Sequence, residues 1–225
     1  MLFVAAIPVI IISTSVRSLV LDPSFYESGQ VRYGAARTTG LQQAQLQASN
    51  RALVSYFASS ADDLAAELQR QGQSGILFNE REATHLSDVR GLVRGVFTLQ
   101  LVALAYAVLF VVIGCALARS RFIIPLAHRA LWGGVLTLIV LGVFAALSTV
   151  DFSQLFLVFH LVSFSNDLWI LNPNTDYLIR MFPQAFFFDA SVALAVNSAI
   201  GAMTLAIVTG AVVLMGKRMS KFQQA

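Results

Sequence analysis

The pattern of apolar and polar positions divides the chain into long apolar runs separated by mixed segments. A helix needs about 20 mostly apolar residues to cross the hydrocarbon core of a membrane. Three runs without a charged residue meet this requirement, and a shorter N-terminal run meets it if it extends past Arg17 to Leu21, with a local bend at Pro8. That run lacks the basic start of a signal peptide, so we expect a retained span. The pattern therefore predicts four spans, at about residues 1–21, 96–118, 130–150 and 190–216.

The composition agrees with a membrane protein. Hydrophobic residues make up 57% of the chain and charged residues 12%, whereas soluble domains carry about 25% charged residues. An ordinary soluble enzyme is thereby excluded, and the 11% aromatic content together with the apolar runs excludes a disordered chain. A single Cys excludes an intrachain disulfide framework. The net charge of +3 is small and does not indicate nucleic-acid binding.

The distribution of charge predicts the topology. Six basic residues and no acidic residue occupy residues 119–129 and 217–225. Residues 151–189 carry four aspartates against one arginine. Because cytoplasmic loops are enriched in Lys and Arg, the first two segments are predicted to be a cytoplasmic loop and tail, and residues 22–95 and 151–189 extracytoplasmic. Both termini are then cytoplasmic, and residues 1–225 form a single membrane domain.

The first outer segment combines turn formers with helical patterns. Residues 22–40 begin with the turn formers Asp22, Pro23 and Ser24 and contain three glycines, Gly29, Gly34 and Gly40, so they predict turns. Residues 41–71 predict one helix, with an apolar stripe formed by Leu53, Phe57, Ala61, Leu64 and Leu68. Gly72 and Gly75 end this helix, as glycines commonly do. Asn79 is expected to cap a new helix with Glu82 as the second member of a capping box, and that helix runs into the second span.

The second outer segment contains an apolar stretch that is too short to span. Residues 152–165 are apolar over only 14 positions, which suits a buried, re-entrant or interfacial helix. Residues 166–189 mix polar and aromatic side chains, and we expect them to form the wall of a cavity. The predicted fold is all-α and membrane-integral: a four-helix transmembrane bundle with a helical extracytoplasmic segment and a re-entrant or interfacial helix-loop.

Two of the three histidines are candidates for chemistry. His85 lies three residues after Glu82 and three before Asp88, so these carboxylates can orient one ring nitrogen while the other moves a proton. The spacing fits a surface ion-pair histidine equally well. His160 lies in the apolar stretch, where an unpartnered polar group costs roughly 2–7 kcal/mol. Its partner could be Asn166, Asp167 or Asp176, whereas His128 in the basic loop is expected to be solvated.

No enzyme nucleophile is evident. Cys115 lies deep in the second span and is expected to be a packing residue. The chain has neither the serine elbow G-x-S-x-G nor the zinc motif H-E-x-x-H. A metal site made from the two histidines and nearby carboxylates would follow a weak pattern, so no metal or cofactor is predicted. The candidate chemistry is proton transfer around a nucleophile that the substrate brings.

Three stretches carry a resemblance to a known family: NRALVSYF (50–57), LFNEREATHLSDV (77–89), and the outer segment 155–189. They resemble the small bacterial four-span membrane proteins of the lipoprotein intramolecular transacylase family, Lit. The specific features are Glu-x-x-His-x-x-Asp-Val before the second span, and Phe-His followed by Asn, Trp, Asp-x-Leu-Ile and Pro in the second outer segment. The resemblance extends over most of the chain.

The resemblance implies a reaction and a site. The substrate is a lipoprotein whose N-terminal Cys carries a diacylglyceryl group, and the sn-2 acyl chain moves to the α-amine of that Cys to give the lyso-form. It implies His85 as the base, hydrogen-bonded to Glu82 or Asp88, and His160 as oxyanion stabiliser or proton donor to the leaving glycerol oxygen, although the two roles could be exchanged. The supporting residues are Asn166, Trp169 and Asp176, with Tyr56 as a further donor.

The resemblance also implies partners and location. They are the lipoprotein and membrane lipid, without nucleic acid, in the bacterial plasma membrane and with the site on the extracytoplasmic side. Two other classes stay open: a metal-dependent membrane hydrolase that uses the same side chains, and a non-enzymatic scaffold or sensor. A transporter is disfavoured because the three longest apolar runs contain no charged residue.

Overall fold

The fold is a set of helices joined by short connections. The structure, a computed structural model, describes residues 1–59, 63–73 and 77–222, with side chains through residue 216. Within these residues every regular element is helical. In chain order they are α1 (Leu2–Val20), α2 (Pro23–Tyr33), α3 (Ala35–Thr39), α4 (Gln43–Ala58), α5 (Leu64–Arg70), α6 (Glu80–Ala118), a 3-10 helix (Arg119–Phe122), α7 (Ile123–Val150), α8 (Phe152–Ser163), α9 (Tyr177–Met181) and α10 (Gln184–Phe222).

Three continuous helical stretches within the described residues are long and apolar enough to cross a membrane. They are Leu2–Val20, Glu80–Val150 and Gln184–Gly216. The middle stretch comprises α6, the 3-10 helix and α7. Arg119 separates α6 from the elements that follow, because its φ of 49° is left-handed and cannot continue an α-helix. The chain is therefore an all-helical protein with membrane-spanning character.

Two helices extend beyond the predicted spans. The predicted loop 119–129 is helical from Ile123 onwards, since Pro125 falls in the first turn of α7, where the missing N–H has no helix partner to lose. The last apolar helix begins at Gln184 rather than Ala190, directly after Pro183. The ends of α1, α6 and α7 lie within a residue or two of the predicted span ends, and α10 continues to Phe222, beyond residue 216.

The chain divides into two compact units, which we call the span unit and the site unit. The span unit comprises Met1–Ser15, Phe97–Ala146 and Leu194–Ala225, and the site unit comprises Val16–Val96 and Leu147–Ala193. Helices α1, α6, α7 and α10 each contribute residues to both units. All residues predicted to carry chemistry belong to the site unit.

The span unit is held together by close apolar packing. Phe3 and Ile7 of α1 form a buried cluster with Ala130 of α7, and the ring of Phe3 stacks on Phe110 with 4.6 Å between centroids. Gly134 permits a close approach, because a Cβ placed there would lie 3.0 Å from the carbonyl oxygen of Ala202. Many large apolar side chains remain exposed along α6, α7 and α10, which is expected of a surface that faces lipid.

Residues 22–40 are helical in the structure, so the prediction of turns is wrong. Asp22 caps α2 by accepting a hydrogen bond from Ser24 N, and Pro23 occupies the first helical position, where proline is favoured. Gly34 ends α2 with φ 66°, and Gly40 ends α3 with φ 74°. These residues act as helix start and stop signals rather than as a loop.

The predicted single helix over residues 41–71 is two helices. Helix α4 ends at Ser59, whose extended φ of −94° and ψ of 171° stop it, and Asp63 caps α5 by accepting from Ala66 N. The predicted apolar stripe survives this break, because Leu53, Phe57, Leu64 and Leu68 are all buried. Ala61 and Gly75 lie outside the described residues, and Gly72 follows α5 with φ 85°.

The capping box at the start of α6 is confirmed. Asn79 Oδ1 accepts from Glu82 N at 2.9 Å, and Glu82 Oε2 accepts from Asn79 N at 2.8 Å. The short apolar helix of the second outer segment is also confirmed as α8, which Asp151 caps by accepting from Gln154 N. Residues 164–176 then follow an irregular path to α9. These elements bring the two candidate histidines into the same unit.

Candidate functional site: a histidine pair in an apolar chamber

The site unit encloses a cavity of about 430 Å³, which we call the chamber. Helices α1, α2, α4, α6, α8, α9 and α10 all contribute to its wall. Among the described residues that line it, only Tyr26, His85 and His160 carry polar side-chain atoms. The hydroxyl of Tyr26 donates to the carbonyl of Val20 at 2.9 Å. The two imidazoles are therefore the groups available for proton chemistry in an apolar space, and the expected cavity wall from residues 166–189 is confirmed by Leu178, Phe182, Phe186 and Phe187.

The two histidines lie close together in the lining of the chamber. Their ring centroids are 6.2 Å apart at an interplanar angle of 30°, and their exposed fractions are 7% for His85 and 8% for His160. Phe164 packs against both rings, edge-on to His85 with 5.1 Å between centroids. Helix α6 supplies one imidazole and α8 the other, so the geometry depends on two segments far apart in the chain.

His160 is held by its own helix rather than by an acidic partner. Its Nδ1 lies 2.7 Å from the carbonyl oxygen of Phe156, one helical turn earlier. The ring of Trp169 lies over it at 4.8 Å between centroids, and Phe156 packs edge-on at 4.4 Å. The prediction that Asn166, Asp167 or Asp176 bonds this ring is wrong: among the described residues none of them does, and Nδ1 bonds the carbonyl of Phe156 instead.

His85 lacks the carboxylate bond that its spacing predicted. Within the described residues its Nδ1 is buried and has no hydrogen-bond partner. Asp88 instead accepts from Asn166 Nδ2 at 2.9 Å. Glu82 directs both carboxylate oxygens at backbone amides, with Oε1 accepting from Leu178 N at 2.6 Å and Oε2 from Asn79 N. Helical spacing allowed either Glu82 or Asp88 to bond His85. Backbone amides occupy the Glu82 carboxylate instead, and the Asn166 side chain bonds the Asp88 carboxylate.

Asp176 anchors the irregular segment. Its carboxylate accepts from Asn172 N at 2.7 Å, from Thr175 Oγ1 at 2.9 Å and from Asn79 Nδ2 at 3.0 Å. Burial alone would raise the pKa of the Asp176 carboxyl, but these hydrogen bonds outweigh burial and hold its pKa below the usual range. Asn79 therefore links the start of α6 to the segment that leads into α9, a connection that the sequence pattern did not reveal.

The electrostatics of the pair favour neutral rings. The pKa of His85 is lowered to about 4, mainly by burial and also by the nearby His160, while Asp88 opposes the change. Burial likewise lowers the pKa of His160, against a smaller opposite effect of its bond to Phe156. His85 precedes the uncharged part of α6 that begins at Val96. Both rings are uncharged at neutral pH and can accept a proton.

The remaining sequence candidates lie elsewhere. Tyr56 is buried on α4, and the guanidinium of Arg90 lies 4.6 Å from its ring centroid. It does not belong to the described lining of the chamber. Cys115 is exposed, so the prediction of a packing role is wrong. Within the part of the chain that the structure describes, no three His, Cys, Asp or Glu side chains cluster in a way that could hold a metal ion.

Two residues that matter for the site were missed by sequence reasoning. Arg90 donates to the carbonyl oxygens of Tyr56 at 2.8 Å and Ser59 at 2.9 Å, and so satisfies the end of α4. Gly29 lies against Phe186 of the chamber wall. A buried arginine and a mid-helix glycine both leave a signal in the sequence, but neither signal identifies its partner.

The fold and the site together define a helical membrane protein with two neutral histidines facing an apolar cavity. The family model described as "Lipoprotein intramolecular transacylase Lit" matches residues 1–187. The chain therefore belongs to the Lit family, and it is a membrane acyltransferase. A search of curated proteins finds no match.

Solved structures of similar fold agree with this assignment. The chain is similar to the membrane integral lipoprotein intramolecular transacylase Lit from Bacillus cereus, with 19% sequence identity, coverage of 97% of this chain and 95% of that chain, and a TM-score of 0.80. It is also similar to two variants of that protein in which a histidine is replaced. The arginine variant has 19% identity, coverage of 97% and 92%, and a TM-score of 0.76, and the alanine variant has 18% identity, coverage of 97% and 93%, and a TM-score of 0.76.

Proposed function

We propose that this chain moves the sn-2 acyl chain of a diacylglyceryl-modified N-terminal cysteine to the α-amine of the same cysteine, which leaves a lyso-form lipoprotein. The observation that carries the proposal is the pair of neutral histidines facing each other in an apolar chamber. Apolar walls suit the acyl chains, and paired imidazoles suit the proton transfers that amide formation requires.

Positioning supplies much of the catalysis in this proposal. The amine and the ester belong to one molecule, so the enzyme needs to hold them in a reactive arrangement rather than capture a second substrate. Well-oriented intramolecular reactions can gain about 7–11 kcal/mol in this way. A covalent enzyme intermediate is not required, which agrees with a chamber whose polar side chains are two histidines and one internally bonded tyrosine.

We assign the role of base to His160. A carbonyl oxygen can only accept, so the 2.7 Å contact with Phe156 requires the proton of the neutral ring to be on Nδ1. Nε2 is then the unprotonated nitrogen. It removes a proton from the α-amine as the nitrogen attacks the ester carbon. This assignment exchanges the two roles that the resemblance first implied.

His85 completes the transfer. An N–H of its neutral ring stabilises the oxyanion that forms as the N–C bond is made. The C–O bond of the ester then breaks, and the protonated His160 returns its proton to the leaving glycerol oxygen. Atoms and charge balance without a co-reactant: the amine loses one proton, the glycerol oxygen gains it, and both rings end neutral.

The surrounding residues position the pair. Trp169 stacks on His160 and fixes the plane of its ring. Glu82 holds the first turn of α6, and Asp176 and Asn166 hold the irregular segment, the latter through Asp88. Tyr56 acts at a distance through Arg90, which lies over its ring. In this proposal none of these positioning residues needs to touch the reacting atoms.

The decisive experiment is mass spectrometry of the N-terminal peptide of a lipoprotein, expressed with this protein in a bacterial host that lacks other N-acylation. The intact protein should yield an N-acylated peptide with one acyl chain on glycerol. His160→Ala and His85→Ala should each abolish that product at unchanged protein level. The double variant should be no worse than either single variant, because residues that act as a unit are not additive.

His128→Ala is the matched control. His128 makes the same kind of bond, with Nδ1 lying 3.1 Å from the carbonyl of Ile124, but it belongs to the span unit. Its replacement should leave N-acylation unchanged. Full product from either chamber variant would contradict the proposal. Loss of activity to a chelator with recovery on added zinc would instead support a metal-dependent hydrolase.

We further propose four spans within one membrane domain over residues 1–225, in the bacterial plasma membrane, with α8 as a re-entrant or interfacial helix. The basic residues between α6 and α7 and at the C-terminus support cytoplasmic placement of both, and hence an extracytoplasmic site. In a Cys115→Ser background, a membrane-impermeant maleimide should label Ser28→Cys in intact cells but not Arg121→Cys. The reverse result would invert the topology.

A further inference from the structure

The wall of the chamber contains one contact that only glycine permits. Gly29 of α2 lies against the ring of Phe186 of α10. A Cβ built on Gly29 would lie 2.6 Å from Cε2 of Phe186 and closer still to Cδ2. Carbon atoms without a bond between them do not approach so closely in packed proteins, where they rest at about 3.5–4.0 Å. Any side chain at position 29 must therefore displace this ring.

Phe186 is a buried ring of the chamber wall. Its exposed fraction is 4%, and it lines the chamber. Four other rings surround it, with centroid distances of 5.3 Å to Phe25, 6.1 Å to Tyr26, 5.0 Å to Phe182 and 5.4 Å to Phe187. Because Phe186 lines the chamber, a ring pushed away from Gly29 changes the space inside it. The volume of the chamber thus depends on the absence of a side chain at Gly29.

We propose that Gly29 and Phe186 determine the length of the acyl chain that the chamber accepts. This inference rests on the proposed function, in which the chamber holds an acyl chain of the lipoprotein. Because Gly29 has no side chain, the ring of Phe186 can pack directly against α2. The same ring forms part of the boundary of the chamber. Gly29 is a specificity-determining position, and it does not touch the reacting atoms.

The expected size of the effect follows from apolar recognition. One methylene more or less in a hydrophobic pocket changes relative reactivity by about 10–200-fold. A ring displaced by one methyl group removes space for at least about one methylene. The long acyl chain should therefore suffer at least about a tenfold loss relative to the short one.

The test uses synthetic diacylglyceryl lipopeptides that differ only in the sn-2 chain, myristoyl in one and stearoyl in the other, with the purified full-length protein in lipid vesicles. The measured quantity is the ratio of the stearoyl rate to the myristoyl rate. Gly29→Ala should lower this ratio at least about tenfold, and Phe186→Leu should raise it. The double variant should match Phe186→Leu within about twofold, because the side chain that Gly29→Ala displaces is then smaller.

Gly91→Ala is the matched control, since it also places a methyl group on a helix of the site unit but meets nothing within 4 Å. It should leave the ratio unchanged. Because the ratio does not depend on the amount of folded protein, a variant that folds poorly still reports on chain length. Equal losses on both substrates with Gly29→Ala, or an unchanged ratio with Phe186→Leu, would overturn the inference. Absence of N-acylation by the unaltered protein would instead contradict the proposed function.

Discussion

The two units satisfy their buried polar groups in different ways. In the span unit, the buried hydroxyl of Thr137 donates to the carbonyl of Gly133 at 2.8 Å, and that of Ser13 donates to the carbonyl of Val9 at 2.5 Å. These bonds stay within one helix turn. In the site unit, the buried side chains of Glu82 and Arg90 bond to backbone groups 96 and 34 residues away. The span unit combines such local bonds with polar side-chain pairs between helices, such as Ser198 with Ser15 and Gln100 with Thr14. The site unit instead uses buried charged side chains to hold distant backbone groups.

This difference shows where each unit is vulnerable. A hydroxyl that donates a hydrogen bond to a carbonyl of its own helix adds little to tertiary structure. Its removal leaves no distant group unpaired. A buried carboxylate that accepts hydrogen bonds from two backbone amides leaves both amides unpaired when it is removed. Each unpaired amide lowers the stability of the fold. Polar substitutions should therefore be costly in the site unit, while the span unit should respond mainly to changes of volume.

The largest expected effect is that of Glu82→Ala. The change leaves the amides of Asn79 and Leu178 without their acceptor, which should cost about 2–6 kcal/mol of stability, at about 1–3 kcal/mol for each group. Thermal unfolding in detergent would measure the loss. Glu82→Gln keeps one acceptor oxygen, so its stability should lie between that of the unaltered protein and that of Glu82→Ala. Exposed Glu80 at the same helix end is the control, and Glu80→Ala should cost at most about 1 kcal/mol. Equal effects at both positions would remove the proposed contrast.

Gly134→Ala should produce the largest loss in the span unit. The new methyl group would lie 3.0 Å from the backbone oxygen of Ala202, so α7 and α10 must separate, at a cost of about 1–3 kcal/mol. Gly142→Ala on the same helix meets nothing within 4 Å and should be neutral or stabilising by up to about 1 kcal/mol, because alanine favours helix. Resistance to unfolding by a denaturing detergent would distinguish them. A neutral Gly134→Ala would show that packing at this position is loose.

The pH dependence should show a single ionisation. Burial lowers the pKa of both histidines, to about 4 for His85, and so favours neutral rings, while an α-amine has a pKa near 7.7–8.0. Between these limits the rate at low substrate should rise about tenfold per pH unit, as the amine loses its proton, and then level off. Rates on a lipopeptide across this range would test the idea. A second inflection near pH 6.5 would indicate a histidine with an ordinary pKa.

The smallest expected effect is that of Ser198→Ala. Ser198 donates to Ser15 at 2.8 Å in the buried part of the span unit, but Ser15 also donates to the carbonyl of Ile11 within its own helix. The loss should therefore be about 0.5–1.5 kcal/mol in the same unfolding assay. Adding Ser15→Ala should cost little more, since both partners are then gone. A loss comparable to that of Glu82→Ala would show that the span unit also depends on distant polar bonds.

Much of the fold could be predicted because its signals are local. The apolar runs predicted the long helices, and the capping-box pair Asn79 and Glu82 predicted the start of α6. The break between α4 and α5 had a local signal as well, since Asp63 is a good helix cap, but the continuous apolar stripe concealed it. Both helices bury the same stripe, so periodicity alone does not distinguish one helix from two.

The candidate site was predictable in its members but not in its bonds. Two histidines next to apolar stretches on the same predicted side were expected to meet, and their rings do lie 6.2 Å apart. The partner of His160 was not foreseeable, because a backbone carbonyl competes with every nearby acid and leaves no trace in the sequence. The contact between Gly29 and Phe186 joins two helices far apart in the chain, and no local pattern encodes it.

The two hydrogen bonds that Glu82 accepts from the backbone amides of Asn79 and Leu178 have a consequence for biosynthesis. One of its amide partners, Leu178, lies 96 residues further along the chain. Ribosomes add about 5–20 residues per second, so Leu178 is synthesised roughly 5–20 seconds after Glu82. During that interval the nascent α6 carries an incompletely satisfied acid beside its apolar stretch. Membrane insertion must therefore keep the start of α6 hydrated until the end of the second outer segment has emerged.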